Sequence, residues 1–408
     1  MISSPVSTRV SAILAFCFLA ALCEGFDVQA AGIAAAGIAH DFDATPTQLG
    51  LFFSAGSFGL MLGAVVGGRL ADRIGRKHVL VASIASFGLF ALGTGFAADM
   101  QSLIWMRVLT GLGLGGAMPN LIALASEVAR AASRNVSIAT IYIGMPLGGT
   151  LASVTVALIG SEQWRSIFWI GGATPLVIAA AMGAFMPATP APVFGDRVAE
   201  RAPRRRAGSF TEDLFGGRRL NSTLVLWVGF FLCVLTLYLL LNWLPLLLQA
   251  RGLSSTGAAY SQAAFNIGGA AGALLTGALL DTRWRWAAIA TDVVALPVIV
   301  LLLATSPARD ELMIALALLL GGAVLSLQVI LYGVAGVLYP PSSRGTGVGA
   351  AIGVGRVGSI VGPALAAVLI GAGRTSSEVL LGVLPVVVTC GIAAAALGHR
   401  HYRAASSA

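Results

Sequence analysis

Glu24 and Asp27 stand in the middle of the first long apolar run of this 408-residue chain, LAFCFLAALCEGFDVQAAGIAAAGIA. A charged side chain at a bilayer centre costs roughly 2.5–3.5 kcal/mol on insertion scales, so carboxylates placed there are read as functional. Their i, i+3 spacing puts both on one face of a helix, where they can bind a proton, an ion or a cationic partner. Two cations also fall inside apolar runs. Arg107 lies about two turns into the fourth, either paired with Glu24 or Asp27 or snorkelling to the interface. Arg356 lies between Gly355 and Gly358 in the eleventh. Its planar guanidinium suits a carboxylate ligand, the alternative being a structural pair with a helix carbonyl or an acid.

The elements that position these groups are membrane helices. Residues are 57% hydrophobic and only 10% charged, and mean hydropathy is +0.89. That composition excludes a soluble domain and makes the lipid bilayer a partner. Twelve spans are predicted near 11–38, 48–70, 79–98, 101–126, 136–160, 164–186, 221–249, 257–280, 286–305, 311–337, 346–371 and 378–398. The first could be a signal peptide with Arg9 as its basic region, but its apolar stretch outruns a signal core and a retained helix is expected. The organisation is a six-helix bundle at 1–186, a cytoplasmic central loop at 187–220 and a second bundle at 221–408.

Charge supplies orientation. With both termini inside, 19 of the 25 basic residues fall on cytoplasmic segments, which the positive-inside rule requires. The net charge of +8 therefore reports topology, and no nucleic-acid partner is expected. Cys17, Cys23, Cys233 and Cys390 all lie in apolar runs and His40, His78, His399 and His401 lie outside them, so neither a disulfide, a metal site nor an intramembrane histidine relay is expected. No nucleotide loop or nucleophile–base arrangement is present to suggest an enzyme or a cofactor. Asp292, in the ninth span, is read as a peripheral partner for loop arginines.

The loop after the second span reads GGRLADRIGRK (67–77). Its glycines permit close helix approach and a tight turn, and Asp72 can pair with arginines or cap a neighbouring helix end. A conformational latch is expected from Gly68, Asp72, Arg73, Gly75 and Arg76. The loop after the eighth span, TGALLDTRWRW, aligns Asp72 with Asp281 at an offset of 209; ASEVARAASRN and AGVLYPPSSRG align Arg134 with Arg344 at 210. Two loops at nearly one offset imply a duplicated six-span unit, and Asp281 and Arg344 join the latch. At an offset of 210, Val234 and Leu237 stand opposite the acidic pair and Pro146 stands opposite Arg356. Charge chemistry is thus asymmetric between the halves.

These stretches resemble a known family. GGRLADRIGRK is similar to the loop 2–3 signature of the major facilitator superfamily, and Arg107 in RVLTGLGLGGAMPN to its span-four arginine motif. Within it, Glu24-Gly25-Phe26-Asp27 resembles the D-G-x-D motif of the aromatic acid:H+ symporter family. Asn242-Trp243-Leu244-Pro245 and LYPPSSRGTGVGAAIGVGRVGSIVGP (338–363) resemble that family's seventh- and eleventh-span segments. Glu24 in place of the first Asp points to a 3-hydroxyphenylpropionate-like branch rather than a benzoate one. The resemblance implies an all-α fold of twelve transmembrane helices in two pseudo-symmetric bundles. It implies a monomer of the bacterial inner membrane that takes up a small aromatic carboxylate with H+ by alternating access, driven by the proton gradient. Asp27, Glu24 and Arg107 would couple protons, and Arg356, with Asn242 and Gln328 on cavity-lining spans, would hold the substrate. GMPLGG (144–149) loosely resembles the span-five signature of proton-driven exporters, which is the competing expectation.

Overall fold

A computed structural model describes residues 5–128, 134–186, 214, 216, 219–339 and 343–406. Twelve helices fill them: α1 Pro5–Asp41, α2 Pro46–Ile74, α3 Arg76–Thr94, α4 Met100–Val128, α5 Arg134–Ile159, α6 Trp164–Phe185, α7 Leu220–Ala250, α8 Ser255–Leu280, α9 Arg285–Thr305, α10 Asp310–Leu338, α11 Arg344–Gly371 and α12 Ser376–Ser406. All twelve are long and apolar enough to cross a membrane. The expected spans match these helices, the fifth and sixth overrunning theirs by one residue, with one displacement. The third, expected over 79–98, runs Arg76–Thr94, because Gly75 at φ 91° starts it and a turn at Gly95 and Phe96 ends it. The apolar residues after Gly95 belong to that turn.

Helix starts alternate in chemistry. Several even-numbered helices open on side-chain caps that satisfy the first backbone N–H groups. Thr45 and Gln48 cap each other's backbone N–H ahead of α2, with Pro46 at the first helical position. Asp99 and Ser102 do so at α4, and Thr375 and Glu378 at α12. The odd-numbered helices after α1 instead begin at or just after arginines: Arg76, Arg134, Arg219, Arg285 and Arg344. A cation at a helix N-terminus opposes the helix dipole, so these residues are placed by membrane topology and not by helix stability.

The chain divides into two compact units, Met1–Ala44 with Leu51–Arg205, and Thr45–Gly50 with Arg206–Ala408. The expected central loop lies almost wholly outside the described residues. In the first unit α1 packs on α5, and α3 on α4 and α6; in the second α7 packs on α11, α8 on α10 and α9 on α12. Starts of α2, α3, α4 and α5 at 46, 76, 100 and 134 recur for α8, α9, α10 and α11 at 255, 285, 310 and 344, offsets of 209, 209, 210 and 210.

Packing repeats at the same offsets. Gly59 and Gly63 of α2 abut the backbone carbonyls of Val108 and Leu112 of α4, while Gly268 and Gly272 of α8 abut those of Leu318 and Gly322 of α10. A Cβ at any of the four would overlap main chain, so this seam is closed by missing side chains. Gly148 on α5 faces Leu22 and Phe26 of α1, and Gly358 on α11 faces Phe231 and Leu235 of α7. That register corrects the sequence alignment by one residue in the first helix. The counterparts of Glu24 and Asp27 at an offset of 209 are Cys233 and Thr236, not Val234 and Leu237.

Candidate functional site

The E-G-F-D run of α1 is fixed by its two middle residues. Gly25 lies directly on the backbone of Met145 in α5, where a Cβ has no room. The ring of Phe26 fills the notch left by Gly171 of α6, about 3.0 Å from where a Cβ on that glycine would sit. With Gly25 and Phe26 held by α5 and α6, Asp27 is turned towards α4. Its Oδ2 meets Nη1 of Arg107 at 2.9 Å, and Nη2 of Arg107 lies 3.5 Å from the Asp27 carbonyl.

Both partners are buried, Asp27 at 1% exposure and Arg107 at 4%. Arg107 therefore points into the unit instead of snorkelling. The rings of Phe52 and Phe168 stand 5.7 and 6.0 Å from its guanidinium carbon, close enough for cation–π attraction. The pair is incompletely bonded. Oδ1 of Asp27 and Nε of Arg107 are buried without a hydrogen-bond partner among the described residues. Glu24, one turn back, is equally buried.

In the second unit Gly355, Gly358 and Gly362 bring α11 onto α7. Half-buried Arg356 then donates from Nη1 to the hydroxyl oxygen of Tyr238 at 3.2 Å. A guanidinium has donors only, so it cannot take the phenol's own proton. The Tyr238 hydroxyl thus has no acceptor for its own proton among the described residues. Ser359 anchors the turn by donating to the Arg356 carbonyl at 2.6 Å. The Asn242 amide donates at 2.7 Å to the Tyr238 carbonyl one turn back, so one of its donors is used within α7. Gln328 is half-buried on α10. The indole of Trp243 donates to the Pro363 carbonyl at 3.0 Å, tying the N-W-L-P run to the end of the eleventh-span motif.

Residues 17–363 match the Major Facilitator Superfamily. The chain belongs to that superfamily. It is 39% identical over 406 residues to the 3-(3-hydroxy-phenyl)propionate transporter of Escherichia coli, covering 98% of this chain and 97% of that one. It is 31% identical to the 4-hydroxybenzoate transporter PcaK of Pseudomonas aeruginosa, covering 95% and 92%. Among solved structures it is similar to an inward-facing bacterial homologue of the lysosomal transporter Spinster, with a TM-score of 0.76, 18% identity and 98% of each chain covered. The relatives and the fold are those of multi-pass membrane transporters, not of enzymes, and the likeness to the aromatic acid symporters read from the motifs holds.

The superfamily's loop signature is only partly visible. Gly75 makes its turn, donating to the Ala71 carbonyl at 3.0 Å. Gly68 is half-buried, Arg73 exposed and Arg76 half-buried, while the side chain of Asp72 lies outside the described residues. Asp281 and Arg344 are exposed, and no ion pair joins either among the described residues. Lys77 was not singled out from the sequence, yet its ammonium donates to the carbonyls of Gly183 and Met186. It caps the end of α6, as a cation at a helix C-terminus does. As the chain's single lysine in a run of arginines, it was the available signal.

Proposed function

We propose that this transporter imports a small aromatic carboxylate resembling 3-(3-hydroxyphenyl)propionate together with H+, by alternating access, as a monomer of the bacterial inner membrane with both termini cytoplasmic. The observation that carries the reading is the buried Asp27–Arg107 pair with its unbonded carboxylate oxygen. Burial favours the neutral form of a carboxyl, whereas an adjacent guanidinium favours the charged one. A conformational step that moves the guanidinium away tips that balance and captures a proton; its return expels the proton. Glu24, on the same helix face, shares in this titration. Arg356 and Tyr238 meet the substrate carboxylate, and Asn242 and Gln328 approach the ring. Gly68, Asp72, Arg73, Gly75, Arg76, Asp281 and Arg344 act as the latch that holds one access state.

The relatives' substrates support an aromatic acid, and the Arg356–Tyr238 donor pair supports an anion over a lipophilic cation. The test is uptake into proteoliposomes with an imposed pH gradient, acid outside. Labelled 3-(3-hydroxyphenyl)propionate should accumulate above equilibrium and benzoate less so, and collapsing the gradient should abolish accumulation. Uphill accumulation in acid-inside vesicles, with substrate moving against the proton flow, would instead identify an antiporting exporter.

A further inference from the structure

In the second unit, away from Arg356, α8, α9 and α10 line an open cavity of about 520 Å³, within the range that accommodates drug-sized molecules. Its walls are mostly apolar, with Thr276, Thr291 and Ser326 the polar residues besides Asp292, and Thr276 donates to Ser326 at 2.8 Å. The exposed side chains of Leu275 and Leu319 at its edge open it onto the unit's surface. Asp292 on α9 lines it at 7% exposure, and its Oδ2 has no hydrogen-bond partner among the described residues. The expected pairing with loop arginines is not what the structure shows. Asp292 lies seven residues, about 10 Å, along α9 from Arg285, and neither lysine nor arginine lines the cavity. Arg283, Trp284, Arg285 and Trp286 mark that end of α9 as the headgroup level.

We propose that this cavity binds a small lipophilic amine dissolved in the bilayer, its ammonium meeting Asp292 and its apolar body lying along α8 and α10. A proton would neutralise Asp292 without using the space beside it. A quaternary cation would fill the space but donate nothing to the carboxylate. A protonated amine satisfies the charge, the bare acceptor and the apolar walls together, and a charge-assisted bond is strongest where water is excluded. The opening between Leu275 and Leu319 lets such a molecule enter sideways from the lipid. Trp284 at the rim is a reporter within reach of the occupant.

The experiment uses the full-length protein in phosphatidylcholine vesicles, with 11,12-dibromododecylamine as probe and 11,12-dibromododecanol as its uncharged control. The amine should quench tryptophan fluorescence saturably and the alcohol only in proportion to its partitioning. Trp284→Phe should remove the saturable part. Asp292→Asn should raise the half-saturating amine concentration at least tenfold. Identical curves for amine and alcohol would overturn the proposal, as would an Asp292→Asn curve matching the unmodified protein. If phosphatidylethanolamine vesicles abolish the response to added amine, the occupant is the lipid headgroup and the free-amine reading fails.

Discussion

Asp27 of the first unit corresponds in the repeat to Thr236 of the second, Arg107 to Ala317, Pro146 to Arg356 and Asp99 to Arg309, at offsets of 209 in the first three helices of each unit and 210 thereafter. Glycine seams recur between these positions at the same contacts, so the two units share a backbone solution. Their charges do not recur. The first unit encloses a carboxylate–guanidinium pair; the second has small groups there and places its guanidinium one helix pair away, against a phenol. The difference separates what duplication preserves from what each half was free to acquire. Close packing of helices constrains the positions without a Cβ, whereas a polar group needs only a local partner. Under the function proposed above, the proton site and the anion site are specialisations of one scaffold.

The sharpest way to break this comparison is to remove charge from the first unit alone. Asp27→Asn keeps size and takes away the titrating group. Uphill accumulation driven by the pH gradient should be abolished, while exchange of labelled for unlabelled substrate across the membrane continues. An Asp27→Asn protein that still accumulates substrate would remove Asp27 from coupling and leave Glu24 as the candidate.

The converse change tests whether the repeat positions are equivalent. Thr236 and Ala317 are both buried. Thr236→Asp alone leaves a buried acid with no cation, at a cost of roughly 2.5–3.5 kcal/mol, and membrane abundance should fall several-fold. Ala317→Arg in the same chain should restore much of it by recreating the pair, whereas Leu316→Arg should not. Equal rescue by both arginines would show that the two units differ in helix register here.

In the second unit, Arg356→Ala should weaken substrate binding about 100-fold and Tyr238→Phe about tenfold, the range expected for hydrogen bonds to a charged group. Equilibrium binding of labelled substrate to detergent-solubilised protein reads both. Because guanidinium and phenol act on one ligand group, the Phe substitution should cost little once Arg356 is gone. Additive losses would place Tyr238 elsewhere on the substrate.

Much of this was legible in the residues, and the gaps have physical causes. Apolar runs, basic loops and the two aligned motifs fixed the spans, because hydrophobic length is a strong signal. That a carboxylate of α1 would meet Arg107 was also readable. Which carboxylate was not, since Glu24 and Asp27 share a face and the choice depends on Gly25 and Phe26 seating against α5 and α6. The repeat register slipped by one in the first helix because the extra residue of the second half falls between the starts of α3 and α4 and their counterparts, where no motif marks it. The place of Asp292 is hidden from the sequence for a similar reason. Its surroundings are set by α8 and α10, which its own helix does not encode.

The smallest effect tests the helix starts. Asp99 accepts the Ser102 backbone N–H at 2.7 Å, and this bond holds its carboxyl below the ordinary value of 3.8. A carboxylate whose value is lowered by folding stabilises the fold above its unfolded value and loses that contribution as pH falls through the folded one. The melting temperature of the unmodified protein should therefore exceed that of Asp99→Asn at pH 6, with the gap closing as pH drops below about 3.8. A gap independent of pH would mean that the Asp99 carboxylate does not stabilise α4 through its charge. At the counterpart in the second unit, Arg309 has the extended backbone of an N-cap, φ −109° and ψ 133°, but makes no side-chain cap. Arg309→Asn should supply one, worth about 1 kcal/mol or less. An unchanged melting temperature would mean that Asp310 and Glu311 already satisfy the first turn of α10, so that the second unit stabilises this helix by charge where the first uses a hydrogen-bonded cap.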